Sequence, residues 1–447
     1  MFFKKNITNI TGLQLFQLTR FGTFLIISIV FTKSHLSTFE IGFFEILLFL
    51  AGAISFFWIT GLIQSLLPLY NNNRTFAKHG NEENHKSPEI FNAFLLISAF
   101  SLVAFLFGYS IRYNFSVFGY RGDGPLFNLL LFYILLSNPT HLIEYIYLLK
   151  NKSANIINYG FISFSLQLVM VTLPILLGHG IEWSMCALIV ISVLRFIWLF
   201  VLLRRYALFK FSFKFIKEHI SLGFPLIIST LLSGSAQYID GIIISNKFDA
   251  SSFAVFRYGA KELPIVALLA HSLSNAMLPE FSSSAGIQRS MQTIKKKSAR
   301  LMHFLFPISL FFLLFANWLY PRVFNEDFSR SADVFMVYIL LIISRLVFPQ
   351  TILIGLKHTR IILIASTIEI VLNVTLSLIM INYYGIVGVA VATTIVFFLE
   401  KMILIAYNYF KLKIDPRKYI PISVHLLYSI ILIIIFVLID HRIINVY

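Results

Sequence analysis

Thirteen times along this chain an apolar run of about 18 residues or more gives way to a short polar turn. Each run is long enough as a helix to cross a hydrocarbon layer of ~30 Å, and the runs cover about 9–32, 38–69, 90–109, 125–149, 154–177 and 183–203, then 222–246, 251–279, 300–320, 334–356, 360–382 and 386–409, with a last one at 420–439. Apolar residues make up 58% of the 447 and charged residues 13%, which excludes a soluble domain or a disordered chain. The reading is an all-α, polytopic membrane protein.

The excess of 36 Lys and Arg over 20 Asp and Glu would suggest nucleic acid in a soluble protein. Here loop placement explains it, and no nucleic-acid partner is expected. With the N-terminus in the cytoplasm, alternate loops place 24 basic residues inside and 7 outside, while Arg20, Arg195, Arg257, Lys261 and Arg345 fall within spans. The positive-inside rule therefore puts the N-terminus inside and, after thirteen spans, the C-terminus outside. Cys186, the single cysteine, permits no internal disulfide or cysteine metal site, and the first run, interrupted by Arg20, has no cleavage site of a secretory signal.

The longest basic connection, RRYALFKFSFKFIKEH, lies after the sixth run. It divides the chain into an N-terminal six-helix lobe (1–206), an amphipathic link along the cytoplasmic face (207–221), a second six-helix lobe (222–410) and an additional C-terminal helix (411–447). The stretch from Phe24 to Tyr70 echoes the stretch beginning at Tyr238, in the order apolar run, polar turn with one Lys, hydroxyl pair and aromatic restart. The echo runs on to Leu67-Pro68 in one copy and Leu278-Pro279 in the other, about 210 residues apart, as repeated halves of a transporter would be. Neither GxxxxGK[ST] nor HExxH nor paired Cys ligands occur, so ATP-driven transport and zinc hydrolysis have no motif to stand on, and no cofactor is expected.

Ordered pieces of the second half carry a family resemblance: LGFPLIIST at 222–230, Asp240 in YIDGII, Phe256 to Tyr258, AMLPEFS at 276–282, ILIGLKHTR at 352–360, and EIVLNVTLSLIMINYYGIVGVAVATTI at 369–395. Together they resemble the polysaccharide flippase branch, of O-antigen type, in the multidrug, oligosaccharidyl-lipid and polysaccharide exporter superfamily. The resemblance implies two six-helix lobes in a V around a central cavity, opening alternately to either side and moving an undecaprenyl-pyrophosphate-linked oligosaccharide across the bacterial inner membrane. It also implies a proton or sodium gradient as the driving force, membrane lipids as surroundings, and a glycan polymerase or glycosyltransferases as partners. Two alternatives stay open: a cation-coupled multidrug exporter, and a non-transporting membrane scaffold of a glycan-assembly complex. One departure bears on the exporter reading, because the repeat sets Asp240 opposite Ile26 to Ile29, so the first span has no matching acid.

The charges inside the spans point to an anionic substrate. Nearest mid-membrane are Arg20, Arg195, Lys261, Arg345 and Glu369, while Asp240 and Arg257 lie toward span ends. Arginine grips phosphate through two donors, and the alternative role for each group is an internal salt bridge or snorkelling. Arg257 and Lys261, four apart on one expected helix, would share a face and call for a negative partner, either Asp240 or the pyrophosphate. Pro225, Pro264 and Pro349 are hinge candidates, Asn373 is expected to bond to a neighbouring helix, and Gly385 with Gly388 to permit a tight reversal and close packing.

Overall fold

The computed structural model describes residues 9–75, 86–112, 116–117, 120–121, 125–282, 287–356, 358–441 and 443. The chain is helical nearly throughout, and a two-residue antiparallel pair, Ser116–Val117 with Tyr120–Arg121, lies in the loop after the third helix. Among the described residues ten helices are long and apolar enough to cross a membrane, or eleven when one pair bent by 44° counts as a single span. The chain is thus a multi-pass membrane protein.

Contacts divide it into two compact units, one of residues 1–238 with 248–251 and the other of 239–247 with 252–447. Unit 1 contains α1 (Asn9–Thr32), α2 (Thr38–Thr75), α3 (Pro88–Ile111), α4 (Pro125–Thr140), α5 (Leu142–Leu149), α6 (Ser153–Leu176), α7 (Ile181–Tyr206) and α8 (Phe213–Gly234). Its core gathers Trp58, Leu62, Ile90, Leu142, Ile146, Ile156, Leu199 and Tyr206, all buried. Small residues set the helix approaches. A Cβ on Gly160 of α6 would stand 2.7 Å from the Phe16 ring of α1, and one on Gly61 of α2 would stand 2.6 Å from Ile227 of α8.

The division does not fall at 207–221. Residues 207–212 are tied to the start of α3: Leu208 N–H donates to the Ser87 carbonyl, and Asn92, fully buried, donates to the Lys210 carbonyl and accepts from Ser212 N–H, both at 2.9 Å. Ser212 then caps α8 by accepting from Phe215 N–H, so the helix begins well before residue 222. The fully buried His219 of α8 hydrogen-bonds the Leu62 carbonyl of α2 at 2.8 Å, which keeps this helix in unit 1.

Unit 2 continues with α9 (Ala236–Lys247), α10 (Ala250–Gly259), α11 (Pro264–Ser282), α12 (Ile287–Val323), α13 (Ser329–Ile339), α14 (Ile342–Arg345), α15 (Pro349–Gly355), α16 (Thr359–Tyr384), α17 (Ile386–Phe410) and α18 (Ile422–Asp440). Two expected spans are broken rather than continuous. The run 222–246 breaks at Ser235 between α8 and α9, and the run 251–279 breaks at 260–263 between α10 and α11. The second break follows from sequence: Gly259 packs so closely that a Cβ there would meet the Ser331 carbonyl at 2.4 Å, and Pro264 disfavours helix in the residue before it. The tenth expected span is the bent one, interrupted between α14 and α15 with Pro349 as the first residue of α15. Pro225 lies inside α8, which continues through it, so it marks no break. Gly385 alone joins α16 to α17 at φ +59°, and a Cβ on Gly388 would meet the Met380 carbonyl at 2.3 Å, in keeping with a tight reversal and close packing.

The additional helix α18 is hooked onto unit 2 by polar contacts. His425 hydrogen-bonds the Ile343 carbonyl beside the bend at 2.8 Å, and Tyr428 meets His303 of α12 at 2.9 Å while stacking on Phe306.

Candidate functional site

In unit 2 the acid of α9 is the centre of a buried polar cluster. Asp240 is 3% exposed, and its Oδ2 accepts from the Tyr338 hydroxyl of α13 at 2.6 Å and from the Thr393 hydroxyl of α17 at 2.7 Å. Asn373 of α16 donates to Thr393 at 3.0 Å and accepts from Ser377 at 3.1 Å. Four helices therefore meet through one carboxyl group. Its other oxygen, Oδ1, is buried with no hydrogen-bond partner among the described residues. A buried carboxylate held only by neutral groups, with one oxygen left over, is suited to taking up a small cation or a proton.

Of the two negative partners open to Arg257, Asp240 is not one: its hydrogen-bond partners are the hydroxyls of Tyr338 and Thr393, both on Oδ2. Arg257 and Lys261 do not share a helix face as expected, since α10 ends at Gly259 and Lys261 lies in the break, its ammonium 4.3 Å from the centroid of the Tyr258 ring. Arg345 is paired instead of free: its Nη2 lies 2.7 Å from Glu262 Oε1, and its guanidinium lies over the Phe397 ring. This ion pair joins two helix interruptions, with Glu262 in the α10–α11 break and Arg345 at the end of α14. Glu369 is buried on α16 and makes no hydrogen bond or ion pair among the described residues. The neighbouring Glu400 pairs with Lys401 at 2.8 Å. No cluster of His, Cys, Asp and Glu fit to hold a metal occurs among the described residues.

In unit 1 the two mid-span arginines differ. Arg195 of α7 is engaged by α6, with Nε donating to Ser163 Oγ at 2.6 Å and Nη2 to Gln167 Oε1 at 2.7 Å, and its guanidinium stands over the Phe164 ring. These neutral acceptors make it an interhelical tie, not an open anion site. Arg20, half-buried midway along α1, has Tyr145 as an electrostatic neighbour and makes no hydrogen bond or ion pair among the described residues.

A family model described as polysaccharide biosynthesis protein matches residues 73–333, more than half of the sequence. The chain belongs to this family. No curated protein matches it in sequence. Among solved structures, the family member is similar to the lipid II flippase MurJ in an inward closed conformation, with a TM-score of 0.63 and 19% identity over 97% of this chain and 94% of that one. It is also similar to a Vibrio cholerae MATE transporter, with a TM-score of 0.58 and 12% identity over 91% and 96% of the two chains. A third likeness is to a transporter of the MOP superfamily from Pyrococcus furiosus, with a TM-score of 0.53 and 15% identity over 91% and 94%. At these identities the likeness establishes the fold, that of MOP-type transporters and flippases.

The sequence offers Asp240 and Asn373 as separate candidates, and nothing in it joins them or points to Thr393. The sequence does not mark Tyr338 or Glu262 as partners. Their signals are faint, because Tyr338 is one aromatic among many in an apolar run, and Glu262 and Arg345 are 83 positions apart.

Proposed function

We propose that this protein is a flippase that moves an undecaprenyl-pyrophosphate-linked oligosaccharide across the bacterial inner membrane by alternating access, in the service of polysaccharide biosynthesis. The observation that carries the reading is Arg20, a guanidinium midway along a membrane helix with no acid bound to it among the described residues. Such a charge costs several kcal/mol in hydrocarbon unless water or an anion meets it, and a pyrophosphate is an anion that arginine grips well. Membership in a polysaccharide biosynthesis family and likeness in fold to a lipid II flippase support a lipid-linked saccharide as the cargo. In unit 2, Lys261 at the helix break is the candidate contact for the same class of anion. Asp240 is the candidate coupling group for a proton or sodium gradient. Glycosyltransferases would supply the substrate and a polymerase would consume it.

Reconstitution tests the reading directly. In vesicles carrying the lipid-linked oligosaccharide, Arg20→Gln is expected to lower the flipping rate at least tenfold per folded protein, and an unchanged rate removes Arg20 from the substrate path. In cells, depletion should leave the lipid-linked oligosaccharide on the cytoplasmic leaflet while its synthesis continues. Reporter fusions at Tyr447 test the proposed cytoplasmic N-terminus and periplasmic C-terminus.

A further inference from the structure

A small half-open pocket lies inside unit 2 beside the Asp240 cluster. It leaves about 10 Å³ for the centre of a water molecule, and its lining includes Glu262, Ser309, Tyr338, Leu341, Ile342 and Arg345. Two features mark it as a place for water rather than an apolar packing gap. Its wall carries an ion pair, Glu262 with Arg345, and the Ser309 hydroxyl, on a residue that is fully buried, has no hydrogen-bond partner among the described residues. A polar void with an orphaned hydroxyl holds an ordered water when about 10–15 Å³ is open to the water's centre, and this one, at about 10 Å³, matches a single molecule.

Tyr338 belongs to both sites. It lines the pocket, and its hydroxyl donates to Asp240 Oδ2 at 2.6 Å. We infer that the pocket is a hydrated proton vestibule and that Tyr338 relays protons between it and Asp240. The inference rests on the proposed coupling role of Asp240 and extends it to the identity of the ion and its path. A proton crosses such a contact by exchange. A hydronium in the vestibule gives a proton to the phenol oxygen as the phenol's own proton passes to Asp240 Oδ2, so the phenol ends neutral, the carboxylate ends as a carboxylic acid, and the hydronium ends as water. A sodium ion cannot pass by such an exchange, because the phenol hands on a proton and not a metal ion.

The surroundings of the acid fit this task. Facing Asp240 are Tyr338 from α13, Thr393 from α17 and Asn373 from α16, with Glu369 of α16 within electrostatic range. Around Tyr338 the charged groups are Asp240, Glu262 and Arg257. Among the described residues no cation pairs directly with Asp240, so a proton taken up there is not in competition with a fixed positive partner.

The test follows proton influx and lipid flipping together in vesicles with an internal pH-sensitive dye, using the full chain. Tyr338→Phe deletes the relay. Ser309→Leu fills the vestibule while leaving every hydrogen bond of Asp240 in place. Each variant, once shown to be folded by thermal unfolding, is expected to lose proton influx at least tenfold. Wild-type influx in either folded variant overturns the relay, as does flipping that follows a sodium gradient and ignores a pH gradient. Asp240→Asn separates the two levels of inference: persistence of proton-driven flipping in that variant defeats the coupling role itself, whereas its loss there with normal influx in Tyr338→Phe defeats only the relay.

Discussion

Thr393→Val is the sharpest probe of the buried cluster, because valine matches threonine in shape and removes only the hydroxyl. That hydroxyl donates to Asp240 at 2.7 Å and accepts from Asn373 at 3.0 Å, in a residue 3% exposed. A hydrogen bond to an acid is worth about 1.5–3 kcal/mol. The bond to Asn373 is a neutral contact between membrane helices, for which about 0.6 kcal/mol is typical. Together they give an expected loss of about 2–4 kcal/mol. Thr393→Ser keeps the hydroxyl and gives up one methyl group, about 1 kcal/mol. Unfolding of both variants in the same detergent, followed by intrinsic fluorescence, ranks them. A double-mutant cycle with Asn373→Leu then isolates the smaller contact, and its coupling should be positive and near the neutral value. Should Thr393→Val unfold within about 0.5 kcal/mol of the wild type, the cluster does not hold α9 to α17 as described.

The Glu262–Arg345 pair is about a quarter exposed on each side, so removing one charge by Glu262→Gln should cost about 1–2 kcal/mol after allowance for solvent, and the exchange Glu262→Arg with Arg345→Glu should restore much of it; thermal unfolding of the three proteins decides. Gly388→Val should push α17 off α16 and lower stability by about 1–3 kcal/mol, visible as loss of folded yield in detergent. Arg195→Lys should loosen the α6–α7 contact while leaving the substrate dependence of flipping unchanged, because a lysine cannot reproduce the fork that serves Ser163 and Gln167.

The spans were legible because continuous apolar runs are a strong local signal. Eleven of the thirteen expected runs correspond to a span or to the bent pair. The two that differ carry their breaks in plain view: Gly259 and Pro264 bracket the interruption of one, and Gly234 and Ser235 mark the other. Length and hydropathy alone cannot weigh such residues against the surrounding Leu and Ile. Charge pairing was harder to read. Arg257 and Lys261 stand four apart, which implies a shared face only while the helix continues, and it ends two residues before the lysine. Asp240 had suitable basic residues nearby in sequence, yet its partners are hydroxyls contributed from Tyr338 and Thr393, 98 and 153 positions away. Long-range polar contacts of this kind leave no periodic trace.

The hook that His425 places on the Ile343 carbonyl has a meaning for biogenesis. During synthesis α13 and α14 enter the membrane well before α18 is made. Until then the carbonyl beside the bend lacks the imidazole that later meets it, and His303 lacks its tyrosine. Arrival of α18 therefore gives the Ile343 carbonyl and His303 the partners that synthesis up to residue 421 leaves unmade.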